Sequence, residues 1–331
     1  MPARVHALLV VRVDGADDQV FRHLERTLEA LSAGARRPDA LTLVVCGRVP
    51  ARLTELATSA GAEAVIEAPR NTGYAGAVRM ASVRLADADA VWLLAQDTAP
   101  DSDALRLLAG SLEVQPSVAA AAPKLVAWDA PDAIVSLGVS MTRYGRSVGL
   151  VDGRLDQGQH DGAEDALGAD VRGLLVRRAV WDLLGGIDSG LEGADEGLDL
   201  GIRSRFIGGR VALVPAARVA VAGDGVAGLP APRDGRRTRQ REFMARTAQL
   251  HRRLVYALPG LVPLIWLSIL PLAAARTILH LIRKSPGSVL GEWRASALAW
   301  ARVGAVARAR GRIRAAARAT GIRVPWSQLA P

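Results

Sequence analysis

Between Val5 and Ala122 short apolar runs alternate with longer amphipathic stretches, and this alternation narrows the available folds more than any other feature of the chain. The apolar runs lie at residues 7–13, 41–46, 64–67, 90–95 and 118–122. Helical periodicity between them predicts helices over 19–33, 51–59, 75–85 and 102–113. Strand–helix alternation of this kind is the pattern of βαβ units around a mainly parallel sheet. An open doubly wound sheet binds its ligands beyond the carboxyl ends of its strands. Function is therefore sought after Val13, after Cys46 and around Gln96.

Residues 123–171 are less regular and include a polar, glycine-rich loop at 152–168. A second ordered block follows, with a strand over 171–177, a helix over 179–184, an acidic turn, a helix over 198–206 and a strand over 210–215. A Gly-, Pro- and Arg-rich stretch then marks a linker. The expected organisation is an α/β domain over 1–222, a linker over 223–245 and a helical module over 246–331. With 331 residues, 50% of them hydrophobic and 23% charged, disordered and collagen-like classes are excluded. The lone Cys46 excludes an internal disulfide, short Cys/His zinc spacings are absent, and a reducing compartment is the natural home.

The net charge of +9 conceals a division. Residues 1–225 carry 23 Lys+Arg against 30 Asp+Glu, a balance of −7, while 226–331 carry 19 against 3, a balance of +16. The basic part also holds 21 consecutive uncharged residues, 255–275. At roughly 1.5 Å per residue these suffice to cross a bilayer. Pro259, Pro263 and Pro271 interrupt them, and arginines flank both ends, so a re-entrant or interfacial hairpin with 289–307 as its second, surface-lying helix is expected. Apolar and basic character together point to an anionic membrane surface on the cytoplasmic side. Nucleic acid is not expected as a partner, because no nucleic-acid module accompanies the arginines.

Asp97 closes the run Leu93-Leu94-Ala95-Gln96-Asp97-Thr98, where a carboxylate can hold a divalent metal against a diphosphate. Before it comes Asn71-Thr72-Gly73-Tyr74, whose small residues let a phosphate or nucleoside approach backbone N–H groups. After it come Gly173-Leu174-Leu175-Val176-Arg177-Arg178, Gly185-Gly186-Ile187-Asp188, Asp195-Glu196-Gly197-Leu198-Asp199-Leu200 and Gly209-Arg210-Val211 with Val214-Pro215. In this order the motifs resemble the inverting family 2 glycosyltransferases of the GT-A fold, over about residues 4–222. The turn Arg36-Arg37-Pro38-Asp39 and the loop Asp156-Gln157-Gly158-Gln159-His160-Asp161 are similar to those of actinobacterial, membrane-associated cell-envelope members.

The resemblance implies an α/β GT-A nucleotide-diphospho-sugar transferase fold, a doubly wound mixed sheet. It also implies transfer of a sugar from a nucleotide-diphosphate donor to a lipid-linked or polysaccharide acceptor, with Mg²⁺ or Mn²⁺ at the leaving diphosphate. Carried over residue by residue, Asp14, Asn71, Gly73, Gln96 and Arg203 fall at donor-binding positions and Asp97 at the metal. His160 and Gly173 fall on the acceptor side. The base falls at Glu196 or Asp195, with Asp199 in the same turn. The chain also departs from the family: Gln96 replaces an acid, Gly197 stands where the base is expected, Val45-Cys46-Gly47 lacks a base-reading acid, and no histidine follows Pro215. Those departures motivate a second expectation, a catalytically impaired scaffold in envelope-glycan assembly.

Overall fold

The first strand, β1 (Val5–Arg12), is buried from Val5 to Val11 because it has neighbours on every side. It pairs in parallel with β2 (Ala40–Cys46) and β4 (Ala90–Ala95), and β3 (Ala64–Ala68) extends the sheet beyond β2. Strands covered on both faces need apolar side chains pointing both ways. Leu9, Leu43 and Leu94 meet Leu24 of α1 (Asp18–Ala33), Leu53 of α2 (Ala51–Ser59) and Leu108 of α4 (Ala104–Val114). Leu8, Val44 and Leu93 meet Tyr74 and Val78 of α3 (Tyr74–Ala81) on the opposite face. The computed structural model describes residues 2–13, 18–85, 87–191, 193–223, 225–228, 235–283 and 286–322.

Beyond β4 the sheet becomes mixed. β12 (Leu175–Arg177) runs antiparallel between β4 and β6 (Val118–Ala127), and β13 (Arg210–Val221) lies parallel to β6. β5 (Thr98–Pro100) and β11 (Asp165–Ala166) pair antiparallel with β13, while β7 (Ala133–Ser136) and β10 (Arg154–Leu155) finish the edge. A separate hairpin joins β8 (Val139–Met141) to β9 (Ser147–Gly149). This is the mixed α/β sheet expected.

Several boundaries differ from the periodicity: β6 runs on to Ala127, α6 begins at Glu196, and three others have a local cause. The strand expected over 171–177 is confined to β12, because Gly173 sits at φ +78° and gives its N–H to Leu93 O at 2.7 Å. The strand expected over 210–215 continues to Val221 across an irregular register between Val214 and Arg218, where Pro215 can offer no N–H. The helix expected over 75–85 stops at Ala81 and tightens into a 3₁₀ turn over Ser82–Arg84.

Two helices complete the sheet region, α5 (Arg178–Leu184) and α6 (Glu196–Arg205). After them come α7 (Gly235–Val255), α8 (Val262–Ile282), α9 (Val289–Ala301) and α10 (Val303–Ala319). The linker expected over 223–245 thus gives way to helix at Gly235. Pro259 and Pro263 set the start of α8, where proline fits the first turn of a helix, while Pro271 lies inside it; the apolar helix therefore runs later than 255–275. The helix expected over 289–307 breaks at Arg302.

The α8–α9 hairpin is fastened by Trp266 stacked on Trp300, ring centroids 4.6 Å apart, and by Trp293 Nε1 donating to Thr277 Oγ1 at 2.9 Å. Leu198 and Ile202 of α6 and Phe206 at its C-cap share one apolar cluster with Leu254, Ile265, Ala295 and Ile313 of the four later helices. Asp188 adds polar ties, to His251 Nε2 at 2.9 Å and Arg312 Nη2 at 2.8 Å. On the outer side of α8 no described residue covers Leu264, Leu267, Ile278 and Ile282, which are exposed.

Candidate active site

At the carboxyl ends of the central strands lies a cleft of about 1710 Å³. Arg12 from the end of β1, Asn71 and Gly73 before α3, and Asp170, Arg172 and Glu196 line one side; α7, α8 and α9 supply the other. Gly73 is the N-cap of α3. The preceding turn is held by Arg12 Nη2, which donates to Thr72 O at 2.8 Å. The loop at which the sequence leads us to expect the donor is therefore part of the cleft wall.

The acidic turn before α6 separates the two candidate bases. Asp195 has φ +61°, the one positive value outside glycine among the described residues. Its carboxylate is held by Arg252 Nη1 at 2.7 Å, and Arg252 is locked in turn by two bonds to Gly145 O. Glu196 is 1% exposed, and neither of its oxygens has a hydrogen-bond partner among the described residues. The N–H groups of Glu196 itself and of Gly193 lie near the carboxylate without reaching hydrogen-bond geometry. Burial, reinforced by the negative charges of Asp195 and Asp170, pushes the Glu196 carboxyl up to about 7. A carboxylate tuned there is half ionised at neutral pH, as a general base requires.

Beside Glu196 lies a pair that the motifs did not single out. Arg172 donates to both oxygens of Asp170, Nε to Oδ1 at 2.9 Å and Nη2 to Oδ2 at 2.7 Å. Burial alone would raise the Asp170 carboxyl, but the guanidinium holds it below the usual carboxylate range. The only sequence signal was the spacing Asp-Val-Arg just ahead of Gly173. Tyr74 is also fully buried here, giving its hydroxyl to Leu94 O at 3.2 Å.

Several expected site residues lie elsewhere. Asp97 is completely buried and absent from the cleft wall; its Oδ2 accepts the Gly223 N–H at 2.8 Å, and a Cβ at Gly225 would collide with the carboxylate. Gln96 turns its side-chain oxygen to the Arg12 N–H, and its backbone oxygen accepts Thr27 Oγ1 at 2.9 Å, so it ties strand ends together. Asp199 and Arg203 lie beneath the cleft, paired with each other at 2.7 Å one helical turn apart, with Tyr256 OH donating to Asp199. Arg203 is thereby turned away from the position expected near a diphosphate. Gly173 is buried against Pro123 and Val219, where a Cβ would come within 2.9 Å of the proline ring. His160 does not line the cleft: its loop is pinned by Lys124 Nζ to Asp156 at 2.9 Å and Asp161 at 2.6 Å. Asp14 lies outside the described residues.

Residues 15–257 match a family model described as glycosyltransferase-like family 2. The chain belongs to that family. Within glycosyltransferase-like family 2 the mixed sheet and the cleft at its strand ends are the expected scaffold. Among solved structures, a crystal structure of GalNAc-T7 with UDP, GalNAc and Mn²⁺ is similar at TM-score 0.53 and 13% identity. That likeness covers 66% of this chain and 44% of GalNAc-T7, so the chain spans under half the length of that relative. The mannosyltransferase PcManGT from Pyrobaculum calidifontis, solved with GDP-Man and Mn²⁺, is similar at TM-score 0.50 and 14% identity over 97% of this chain and 87% of its own. No curated protein matches the chain.

Both of those enzymes were solved with Mn²⁺, and the described residues here do not by themselves fit a divalent ion. Among the described residues no three His, Cys, Asp or Glu side chains converge. Asp97, the carboxylate expected to hold the metal, lies against Gly223 and Gly225 and is not among the residues lining the cleft.

Proposed function

We propose that this glycosyltransferase moves a sugar, with inversion, from a nucleotide-diphosphate donor to a lipid-linked cell-envelope glycan, with Glu196 as its general base. The observation that carries the reading is the buried Glu196 carboxylate in the cleft, with no hydrogen-bond partner among the described residues and its pKa raised to about 7. In the step itself Glu196 takes the proton of the acceptor hydroxyl. The oxygen bonds to the anomeric carbon from the face opposite the leaving group, and the nucleoside diphosphate departs with the electrons of the broken C–O bond. Asn71 and the Gly73 N-cap, which border the cleft at the start of α3, are suited to the nucleotide.

The acceptor class rests on where the cleft opens. Its far wall is α7–α9, and the same helices carry the exposed Leu264, Leu267, Ile278 and Ile282 together with Leu290, Trp293 and Trp300. The segment Pro259–Ile282 is long and apolar enough to cross a membrane, with mean hydropathy 1.8. With Arg283, Arg294 and Arg302 at its borders, this face suits the interface of an anionic membrane on the cytoplasmic side. An acceptor anchored in that surface would reach Glu196 without leaving it.

The test is sugar transfer by detergent-purified protein in anionic liposomes, with UDP-, GDP- and dTDP-sugars as donors and extracted envelope glycolipid as acceptor. Transfer from one donor, lost in Glu196→Gln, supports the reading. Transfer unchanged in that variant removes Glu196 as the base, and transfer from none favours a scaffold role.

A further inference from the structure

The cleft has a buried cation of its own, and the cation is a side chain. Arg172 is 4% exposed and lines the cleft with Glu196. Two of its three nitrogens are fixed on Asp170, which sets the guanidinium plane, while Nη1 has no acceptor among the described residues. A Cβ at Gly228 would come within 2.9 Å of Arg172 Cζ, so backbone presses on the group from above and holds it in place. Asp97, Asp170 and Glu196 all act on it electrostatically. Across the described lining of the whole cleft arginines outnumber carboxylates ten to seven, with Arg12 and Arg241 on the same walls, an excess of positive charge that favours an anionic ligand.

We infer that Arg172, seated on Asp170, binds the diphosphate of the donor, and that the chain binds nucleoside diphosphate without a divalent cation. A planar guanidinium with one amino group unused is suited to phosphate oxygens. Its charge, unlike that of a metal, needs no further carboxylate at the strand end. This accounts for the packing of Gly223 and Gly225 against Asp97 and for Gln96 being spent on the Arg12 N–H. The inference rests on the donor reading above.

The experiment is calorimetric titration of the full-length, detergent-purified protein with UDP, GDP and dTDP, first in EDTA and then with Mn²⁺. One nucleotide is expected to bind in EDTA, its Kd changing by less than about threefold when Mn²⁺ is supplied. Arg172→Gln is expected to weaken that binding about tenfold or more, and Arg172→Lys to weaken it less. Because Arg172→Gln strands Asp170, the double variant Asp170→Asn/Arg172→Gln is titrated as well; it keeps the local charge balanced and should lose binding equally. Binding that requires Mn²⁺ overturns the inference and leaves the donor reading standing. Binding in EDTA that survives in the double variant overturns the role of Arg172. Binding of none under either condition overturns the donor reading itself.

Discussion

Glu196 and Asp97 are both carboxylates removed from water at the same edge of the sheet, yet their surroundings have opposite consequences. Around Asp97 the backbone closes in: Gly223 donates an N–H and Gly225 packs on the carboxylate, so the charge is absorbed into the fold. Around Glu196 the described residues supply no hydrogen bond, and the charges of Asp195 and Asp170 oppose ionisation. Burial of an acid therefore says little until its partners are known. A capped carboxylate holds the structure together, while an uncapped one in a cleft keeps a proton available for chemistry.

The sharpest way to break that comparison is Glu196→Gln. It should cut transfer by about 10²–10⁴-fold, the usual contribution of a general base, and leave folding intact by circular dichroism. A rate within threefold of wild type would show that the uncapped acid is a passive feature of the turn.

Next in size is the pH dependence. Unfolded glutamic acid titrates near 4.5, whereas in the native cleft Glu196 holds its proton to about 7. Between those values the native state binds more protons than the unfolded one, so stability falls as pH rises through the window, by on the order of 3 kcal/mol. Transfer should rise over the upper part of the same window as the base ionises. Urea unfolding at pH 4.5 and pH 7.5 checks this, and Glu196→Gln should flatten the difference. An equal slope in the variant would place the titration elsewhere.

How much of this the sequence disclosed follows from the range of each interaction. β1 to β4 and their helices were legible because the periods that mark them are local, as Leu8 and Leu9 pointing to opposite faces illustrate. The acidic turn was legible as a site but not as a choice, since Arg252, far along the chain on α7, is what claims Asp195 and leaves Glu196. Arg203 looked like a phosphate ligand at i+4 from Asp199, and that spacing instead lets the two neutralise each other inside the fold. The basic module read only as a membrane surface, because nothing local says that α7–α9 also form a cleft wall.

Gly197→Asp tests whether the turn merely lacks its acid. A Cβ at 197 would collide with Ala169 O and lie 3.1 Å from Val171 N. The larger side chain should therefore cost about 1–3 kcal/mol of stability with no gain in transfer. A faster enzyme would mean that the turn can shift to admit a second carboxylate, and would take the role of base from Glu196.

The smallest expected effect completes the comparison. Asp97→Asn keeps an oxygen for the Gly223 N–H and gives up only the charge, so it should cost about 1 kcal/mol of stability and slow transfer less than about tenfold. Glu196→Gln and Asp97→Asn make the same chemical change on two buried carboxylates, and their ratio of rates isolates what the surroundings add. A loss at Asp97 as large as that at Glu196 would mean that Gly223 and Gly225 give way during turnover and that the carboxylate they pack on meets the donor after all.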